Sequence, residues 1–338
     1  MGRSAVLIFL SSAFLLIPLV LTSSPDQPPA RGLLIVANKG DHTIGIVDPV
    51  AGRQLAVVEE SGVTAHEVAA SPDGHTAFAP IYGDSGVGKS GSDGRTLDVI
   101  DIASRRRIAT IDFGRATRPH AAHFGPDGLL YVTTELTNSI DVVDPNTRKI
   151  IASIPTGQPE SHMLAITRDG KRAYTSNVHV GTVSAIDLAA RKVLAVIPVS
   201  AHAQRISLSV DDRWVFTADQ TKPQLAVIDT ATNKVKTWVP LPTTAYGTAP
   251  TLDGRWLLVT LPGVRKVAVV DLAEFKIVRT VDVPKTPQEI LVRPDNRVAF
   301  VACDVDHKIV VLNLETWQVE KLIDAGNYAD GLAWARQD

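Results

Sequence analysis

A repeat of 42 residues runs through this chain and constrains its fold more than any other feature. A turn motif of the S-P-D-G type recurs, and its aspartates are separated once by 54 residues and then four times by 42. These aspartates are Asp73, Asp127, Asp169, Asp211, Asp253 and Asp295. A strict period of this length indicates a repeat architecture, in which each unit packs against its neighbours.

Each period contains four strand signals. In residues 162–199, short β-rich runs separated by D-G and similar turns predict four consecutive strands, which leave no room for a helix. Four antiparallel strands in about 40–45 residues are typical of a propeller blade. The strand pattern excludes a helical solenoid, and a β-sandwich would not keep so strict a period.

A second recurring residue gives the number of blades. An acid or amide ends the third strand seven times, at Asp48, Asp101, Asp144, Asp187, Asp229, Asp271 and Asn313. The C-terminal ADGLAWARQD supplies a first strand, and the segment that starts at Gly32 supplies the other three strands of the same blade. We therefore predict an all-β, seven-bladed β-propeller of residues 31–338, closed by a blade that the N- and C-terminal segments share. Closure leaves no edge strand exposed.

The N-terminal segment resembles an export signal. Arg3 is followed by an almost purely apolar run from Ala5 to Leu21. This run of 17 residues is at the short limit for spanning a bilayer, which usually takes about 20. Residues 1–24 are thus predicted to be a signal peptide or an N-terminal anchor, and residues 25–30 a Pro-rich linker. We expect an exported protein, in the periplasm or at the cell surface, that contacts a membrane only through this segment.

Charge and cysteine content exclude other classes. A formal net charge of −2 gives no general attraction to nucleic acid, so we do not expect nucleic-acid binding. The single cysteine, Cys303, can form neither an intrachain disulfide nor a C-x-x-C-H haem attachment. On this ground we expect no haem. Cys303 lies in a strand-like run and is predicted to be buried. We expect a monomer.

Several repeats carry a family resemblance. The segments YVTTELTNSIDVVDPNTRKIIASIPTG (131–157) and AYTSNVHVGTVSAIDLAARKVLAVI (173–197) resemble those of the YVTN-repeat β-propellers. The resemblance covers the chain after the linker and implies the same seven-bladed architecture. It is much less specific for activity, because the family includes surface-layer-like proteins, YncE-like periplasmic proteins and relatives of propeller lactonases.

Alignment of the repeats predicts a ring of polar residues at the mouth of the central channel. The residue seven positions before each aspartate of the turn motif is polar, whereas positions further along the same strand are apolar. With the C-terminal repeat added, the ring consists of His66, His120, His162, Gln204, Tyr246, Gln288 and Asp330. Arg205 adjoins Gln204 and is a candidate for holding an anionic group. We predict that these eight residues bind a ligand.

The three histidines lie on adjacent blades. Converging imidazoles suit Zn²⁺ or Cu²⁺, so His66, His120 and His162 are also a candidate metal site. Two simpler explanations stay open, namely a half-solvated channel mouth that tolerates polar residues and a histidine that shapes the loop. Glu135, in the blade of His120, is a candidate general base.

One repeat is about 12 residues longer than the others. The insertion, placed at 82–95, is rich in Gly and Ser and opens on the histidine face, so we predict a lid over the channel mouth. Residues Gly83 to Ser90 match the P-loop pattern. A P-loop needs a helix after it, whereas a strand-like run follows here, so we interpret the match as a flexible loop and expect no nucleotide.

Two functions remain open. The first is an extracytoplasmic binding or interaction protein, whose channel mouth takes a small molecule or a protein partner. The alternative is a lactonase-like hydrolase or isomerase in which Glu135 and His120 are catalytic. The lack of an evident nucleophile–base pair in the sequence favours binding.

Overall fold

The computed structural model describes residues 30–84 and 86–337. The predicted signal or anchor, and the linker up to residue 29, lie outside the described residues. Within the described part of the chain, no helix is long and apolar enough to cross a membrane.

The described residues form seven four-stranded antiparallel sheets arranged as blades. The prediction of an all-β, seven-bladed propeller is therefore confirmed. Helical structure in the described ranges is confined to two short 3₁₀ turns, Glu135–Thr137 and Pro262–Val264.

The strands of each blade are given from the channel outwards. Blades 1 and 2 comprise β28 (Ala329–Arg336), β1 (Gly32–Asn38), β2 (Thr43–Asp48), β3 (Arg53–Glu59); and β4 (Ala69–Ala70), β5 (Thr76–Gly83), β6 (Asp93–Asp101), β7 (Arg106–Asp112). Blades 3 and 4 comprise β8 (Pro119–Phe124), β9 (Leu130–Thr134), β10 (Ser139–Asp144), β11 (Lys149–Pro155); and β12 (Ser161–Ile166), β13 (Arg172–Asn177), β14 (Thr182–Asp187), β15 (Lys192–Pro198). Blades 5 to 7 comprise β16 (Ala203–Leu208), β17 (Trp214–Asp219), β18 (Gln224–Asp229), β19 (Lys234–Pro240); β20 (Thr248–Pro250), β21 (Trp256–Leu261), β22 (Lys266–Asp271), β23 (Lys276–Asp282); and β24 (Pro287–Val292), β25 (Val298–Cys303), β26 (Lys308–Asn313), β27 (Val319–Asp324).

Blade 1 joins the two ends of the chain. Its sheet order is β28-β1-β2-β3, and Leu34 of β1 pairs with Trp334 of β28 in an antiparallel register. The predicted shared blade is thus present, and it closes the ring through backbone hydrogen bonds between distant parts of the sequence.

Both repeat markers build turns. The Asp48 Oδ1 atom accepts hydrogen bonds from the amides of Val50 and Ala51, both at 2.9 Å. In the other series, Asp73 accepts hydrogen bonds from the Ser71 hydroxyl and the His75 amide. Aspartates favour tight turns because their side chains bond to backbone amides two or three residues away. The period in the sequence therefore reflects turn chemistry.

The core lies between neighbouring blades. The two middle strands of a blade are buried nearly throughout, as in β9 and β17. Outer strands such as β11 alternate between exposed and half-buried residues, because one face contacts solvent. Cys303 is buried at the end of β25, as predicted.

The insertion lies between β5 and β6 on the face of the channel mouth. The stretch that matches a P-loop is followed by β6, a strand, so the helix that phosphate binding requires does not follow it.

Candidate ligand site at the channel mouth

The innermost strands bring the seven predicted ring residues to one end of the channel. His120, His162, Gln204, Gln288 and Asp330 each occupy the second position of an inner strand. His66 and Tyr246 precede the short inner strands of blades 2 and 6. Four of the seven ring residues are buried, with exposed fractions of 2% for His120 and 1% for Asp330, whereas His66, Gln204 and Tyr246 are half-buried.

Four aromatic rings from blades 2 to 4 form what we call the histidine cluster, composed of His66, His120, His162 and Tyr82. The imidazoles of His120 and His162 stack with their centroids 3.5 Å apart and their planes tilted by 31°. His66 meets His120 edge-on at 5.2 Å, and Tyr82 packs against His66 at 4.8 Å.

The imidazoles of this cluster are neutral. Burial lowers the pKa of His66 to about 4 and holds the pKa of both His120 and His162 well below the ordinary value, with neighbouring positive charges acting in the same direction. The Nδ1 atoms of His120 and His162 are buried and have no hydrogen-bond partner. Buried polar atoms are nearly always paired, so two unpartnered nitrogens side by side indicate a site that a ligand completes.

Glu135 is held by three donors. Its carboxylate accepts hydrogen bonds from the Tyr82 hydroxyl, from Arg118 Nη1 at 3.0 Å and from the Gly88 amide at 3.2 Å. Within the described residues, no hydrogen bond joins Glu135 to an imidazole. The catalytic pair of Glu135 and His120 stays a prediction without a supporting contact.

Arg118 fastens the insertion to blade 3. Its Nε atom donates to Asp93 Oδ1 at 2.6 Å, and its Nη2 atom donates to the backbone carbonyl of Lys89. Together with the bond from Gly88 to Glu135, these contacts hold the insertion against the edge of the histidine cluster.

A second group, which we call the carboxylate cluster, consists of Glu67, Glu289, Asp304 and Asp330 with the cations Arg205 and Lys39. Arg205 is buried, and its Nη1 atom lies 2.6 Å from Glu67 Oε1 and also contacts Glu289. Its Nη2 atom donates to Asp330 Oδ1 at 2.7 Å. The charge of Arg205 is therefore already matched inside the protein, which leaves it poorly placed for the predicted role of holding an external anion.

The carboxyl groups of this cluster titrate differently. Burial raises the pKa of Glu67 well above its ordinary value and also raises that of Glu289, although Arg205 opposes both shifts. Burial would also raise the pKa of Asp330, but Arg205 and Lys39 together lower it. The single positive charge of Arg205 therefore does not fully compensate the negative charges of the three carboxyl groups that it contacts.

A second ring of equivalent positions adjoins the channel mouth, and it was not predicted from the sequence. In six of the seven blades, a residue at or just after the end of the second strand donates its backbone amide to the segment that enters the mouth, as in Lys39 N–H to Tyr328 O and Asp304 N–H to Thr286 O, both at 3.2 Å. The seventh member is a proline, which has no amide hydrogen to donate. In chain order this ring is Lys39, Tyr82, Glu135, Val178, Gln220, Pro262 and Asp304. A pattern in the sequence could have predicted this ring, because from blade 2 onwards each member stands eight or nine residues after the turn aspartate.

Glu67 and Glu289 were also missed as site residues. Each follows a predicted ring residue, in the same register as Arg205. The repeat alignment shows that these residues share a register, but it does not show that their side chains meet across the channel.

Two cavities lie outside the histidine cluster, since neither is lined by its imidazoles. One, of about 230 Å³, lies in the channel and is lined in part by Glu67, Glu289 and Met163. The other, of about 250 Å³, lies between blades 2 and 3 on the opposite face. Both are smaller than the roughly 300–1,000 Å³ typical of sites for drug-sized ligands. Among the described residues, no group of three or more His, Cys, Asp or Glu side chains is arranged to hold a metal ion.

The fold and the site define a β-propeller whose channel mouth is lined by buried imidazoles and carboxylates. Residues 124–329, more than half of the chain, match the family described as the cytochrome D1 heme domain. The chain belongs to this family.

Solved structures show the same fold. A structure described as Kuenenia stuttgartiensis hydrazine synthase is 19% identical with a TM-score of 0.72, and the match covers 88% of this chain and 99% of that one. A functionally unknown protein from Desulfotomaculum acetoxidans DSM 771 is 13% identical with a TM-score of 0.75, and the match covers 91% and 100%. The comparison with curated proteins found no match.

The family membership corrects the expectation of no haem. That expectation was wrong because a C-x-x-C-H motif is needed only for covalent attachment, whereas a haem can also be held through an imidazole and the surrounding protein. The residues present fit this role, since His120 and His162 are neutral and have unpartnered Nδ1 atoms. The zinc or copper site at the same histidines stays a prediction without support from the geometry of the described residues.

Proposed function

We propose that this chain is an exported ligand-binding propeller whose histidine cluster binds a haem-type tetrapyrrole through an imidazole nitrogen. The observation that carries the proposal is the buried, stacked pair of neutral imidazoles, His120 and His162, each with an unpartnered Nδ1 atom. The family of the chain supports the choice of ligand class. Export, and the resemblance to YVTN-repeat propellers, belong to the same proposal and rest on the sequence.

The protein prepares the imidazoles for iron. A metal binds the neutral form of imidazole, and burial keeps His120 and His162 in that form, so no proton has to be removed before binding. When bound, a haem would supply redox and ligand-exchange chemistry at its iron.

The two rings are held together by backbone contacts. The Thr133 hydroxyl donates to the backbone carbonyl of His162 at 2.7 Å and accepts a hydrogen bond from the Ala121 amide at 2.9 Å. Thr133 thereby ties blade 3 to blade 4 beside both imidazoles. This arrangement preorganises the ligand atoms, because the strands that carry them cannot shift independently.

The insertion controls access in this proposal. Neither cavity is lined by the clustered imidazoles, so in this proposal the ligand enters after the insertion moves away from Glu135, at the edge of the histidine cluster. The contacts of Arg118 with Lys89 and Asp93 would then form again and exclude water from the bound group.

The geometry supports haem binding better than the hydrolase alternative. A general base must reach the proton that it removes, but the Glu135 carboxylate is occupied by Tyr82, Arg118 and Gly88. The imidazoles, in contrast, have free nitrogen atoms.

Titration with ferric haem tests the proposal. Addition of haem to the purified protein should produce a Soret band that differs from that of free haem and saturates at one equivalent. His120→Ala and His162→Ala should weaken binding or shift the band, and the double variant should abolish it. His75→Ala, which removes an exposed histidine in a turn between β4 and β5, should match the wild type.

Two results would overturn haem binding. One is a spectrum identical to that of free haem, and the other is the same loss of binding in His75→Ala as in the double variant. Near-UV circular dichroism establishes that each variant is folded. If free imidazole added to His120→Ala restores the wild-type band, the role of that side chain is as a ligand and not as packing.

A further inference from the structure

The carboxylate cluster contains a buried oxygen that no hydrogen bond of normal geometry satisfies. Asp304 is 8% exposed, and its Oδ2 atom accepts a hydrogen bond from Gln288 Nε2 at 3.2 Å. Its Oδ1 atom is buried and makes no hydrogen bond of normal geometry, although the Thr286 side chain and the Val305 amide lie near the carboxyl group. A carboxylate oxygen left unpaired in a protein interior costs free energy, so its retention beside an open channel mouth needs an explanation.

The same cluster has more acidic than basic groups. Its four carboxyl groups, Glu67, Glu289, Asp304 and Asp330, face only two cations, Arg205 and Lys39. Arg205 is committed to three of the carboxyl groups and does not contact Asp304. The position nearest Asp304 thus lacks a fixed positive charge.

Lys39 is the more exposed of the two cations in the cluster. Its Nζ atom lies 3.2 Å from Asp330 Oδ2, and its side chain is 30% exposed, compared with 4% for Arg205. Lysine side chains are flexible, and their ammonium group has three donors. Lys39 therefore shows that an alkylammonium fits beside Asp330, and its partial exposure leaves a path for its ammonium group towards solvent.

We propose that the carboxylate cluster binds a small organic cation through a primary ammonium group, which replaces the Lys39 ammonium and bonds to Asp304 Oδ1 and Asp330 Oδ2. Three N–H donors match the unpartnered oxygen of Asp304 and the oxygen of Asp330 that Lys39 would release. An organic cation suits the site better than a metal ion, because no metal-holding group is present among the described residues. This inference goes beyond the proposed haem site and does not depend on it.

The probe is n-butylammonium, with n-butanol as its uncharged counterpart. Isothermal titration of the purified chain at pH 7 should show binding of n-butylammonium and none of n-butanol at the same concentrations. Asp304→Asn keeps the shape of the side chain and should weaken binding by about tenfold or more, the effect of losing one charge-assisted hydrogen bond.

Two further variants sharpen the test. Asp306→Asn changes a half-buried carboxylate in the same turn, which pairs with Lys285, and should leave the affinity within about twofold. Lys39→Met removes the internal competitor and should strengthen n-butylammonium binding several-fold.

The proposal is wrong if n-butanol binds as well as n-butylammonium, or if Asp304→Asn and Asp306→Asn behave alike. Unchanged or weaker binding in Lys39→Met would overturn the replacement of Lys39, and this variant does not rely on the folding of Asp304→Asn. Haem titration of the same variants separates the two proposals, since the histidine cluster is intact in each of them.

Discussion

The histidine cluster and the carboxylate cluster are built from neighbouring positions of the same repeat, but their side chains respond to burial in opposite ways. His120 and His162 stay neutral, and their Nδ1 atoms have no partner. Glu289 and Asp330 surround a buried cation, Arg205, which lies over the Tyr246 ring at 4.9 Å. A buried group must lose its charge or find a partner, and the two clusters show both outcomes on one scaffold.

The two clusters therefore have different roles, since one can bind a ligand and the other holds blades together. The stacked imidazoles leave nitrogen atoms for a ligand, whereas Arg205 joins the inner strands of blades 1, 2, 5 and 7 across the channel. One side of the mouth is therefore suited to exchange of a ligand, and the other is held together by ion pairs. Lys39 and Asp304 are the exceptions on the second side, since they retain an exposed cation and an unpaired oxygen.

The largest effect is expected from removal of the shared cation. Arg205→Met should lower the free energy of unfolding by about 3–5 kcal/mol at neutral pH, because three buried carboxyl groups lose their partner. Chemical denaturation measures this change. Arg95→Met, in an exposed pair with Asp112, is the control and should have no measurable effect. Equal effects of the two substitutions would show that Arg205 is not the centre of the cluster.

Acidification should lower the stability of the folded chain through the histidine cluster. Because the pKa of His66 is about 4 in the folded chain and near 6.5 when unfolded, only the unfolded chain takes up a proton between these values. Stability should therefore fall as the pH falls from about 6.5 to about 4, and His66→Gln should remove about 2 kcal/mol of this loss. Denaturation midpoints from pH 7 to pH 4.5 measure it. His75→Gln should keep the wild-type slope, and an unchanged slope in His66→Gln would contradict the assignment.

Through the carboxylate cluster, the free energy of unfolding should change with pH in the opposite direction. The pKa of Glu67 is raised by burial, so above about pH 4.5 the unfolded chain releases a proton that the folded chain keeps. This contribution to stability is present at low pH and is lost as the pH rises towards the folded pKa. Glu67→Gln should reduce the loss of stability with rising pH and leave unchanged the loss that His66 causes with falling pH. If the substitution changed only the loss at acidic pH, the assignment of opposite pH dependences to the two clusters would be wrong.

The smallest effect concerns the insertion. Arg118→Met removes the contacts with Lys89, Asp93 and Glu135, so local opening should become easier by about 1–2 kcal/mol without global unfolding. Limited trypsin digestion should then cleave after Lys89 about tenfold faster. Arg115→Met, an exposed neighbour, is the control. Wild-type cleavage rates in Arg118→Met would show that other contacts hold the insertion.

The predicted fold was largely correct because it rests on local chemistry. Asp48 and Asp73 build turns through bonds that span two or three residues, so the period is written directly in the sequence. The candidate site was only partly predictable. The register of His120 and Arg205 follows from the repeat, but the partners of Arg205 lie 84 residues away at Glu289 and 125 residues away at Asp330.

The cofactor was the main error. The absence of C-x-x-C-H excludes only covalent attachment of haem, and the single Cys303 bears on nothing else. The predicted role of Arg205 requires a free guanidinium, and sequence alone does not reveal which carboxylates compensate its charge.

The sequence by itself determined the number of blades, the closure of the ring and the residues that enter the mouth, since turn residues and strand alternation act over a few positions. Only the tertiary structure decided which mouth residues stack, which pair and which remain unsatisfied. The pKa of His66 and the unpaired oxygen of Asp304 depend on burial and on charges from other blades. Those quantities arise from the ring as a whole, because different blades contribute side chains to a shared, poorly solvated centre.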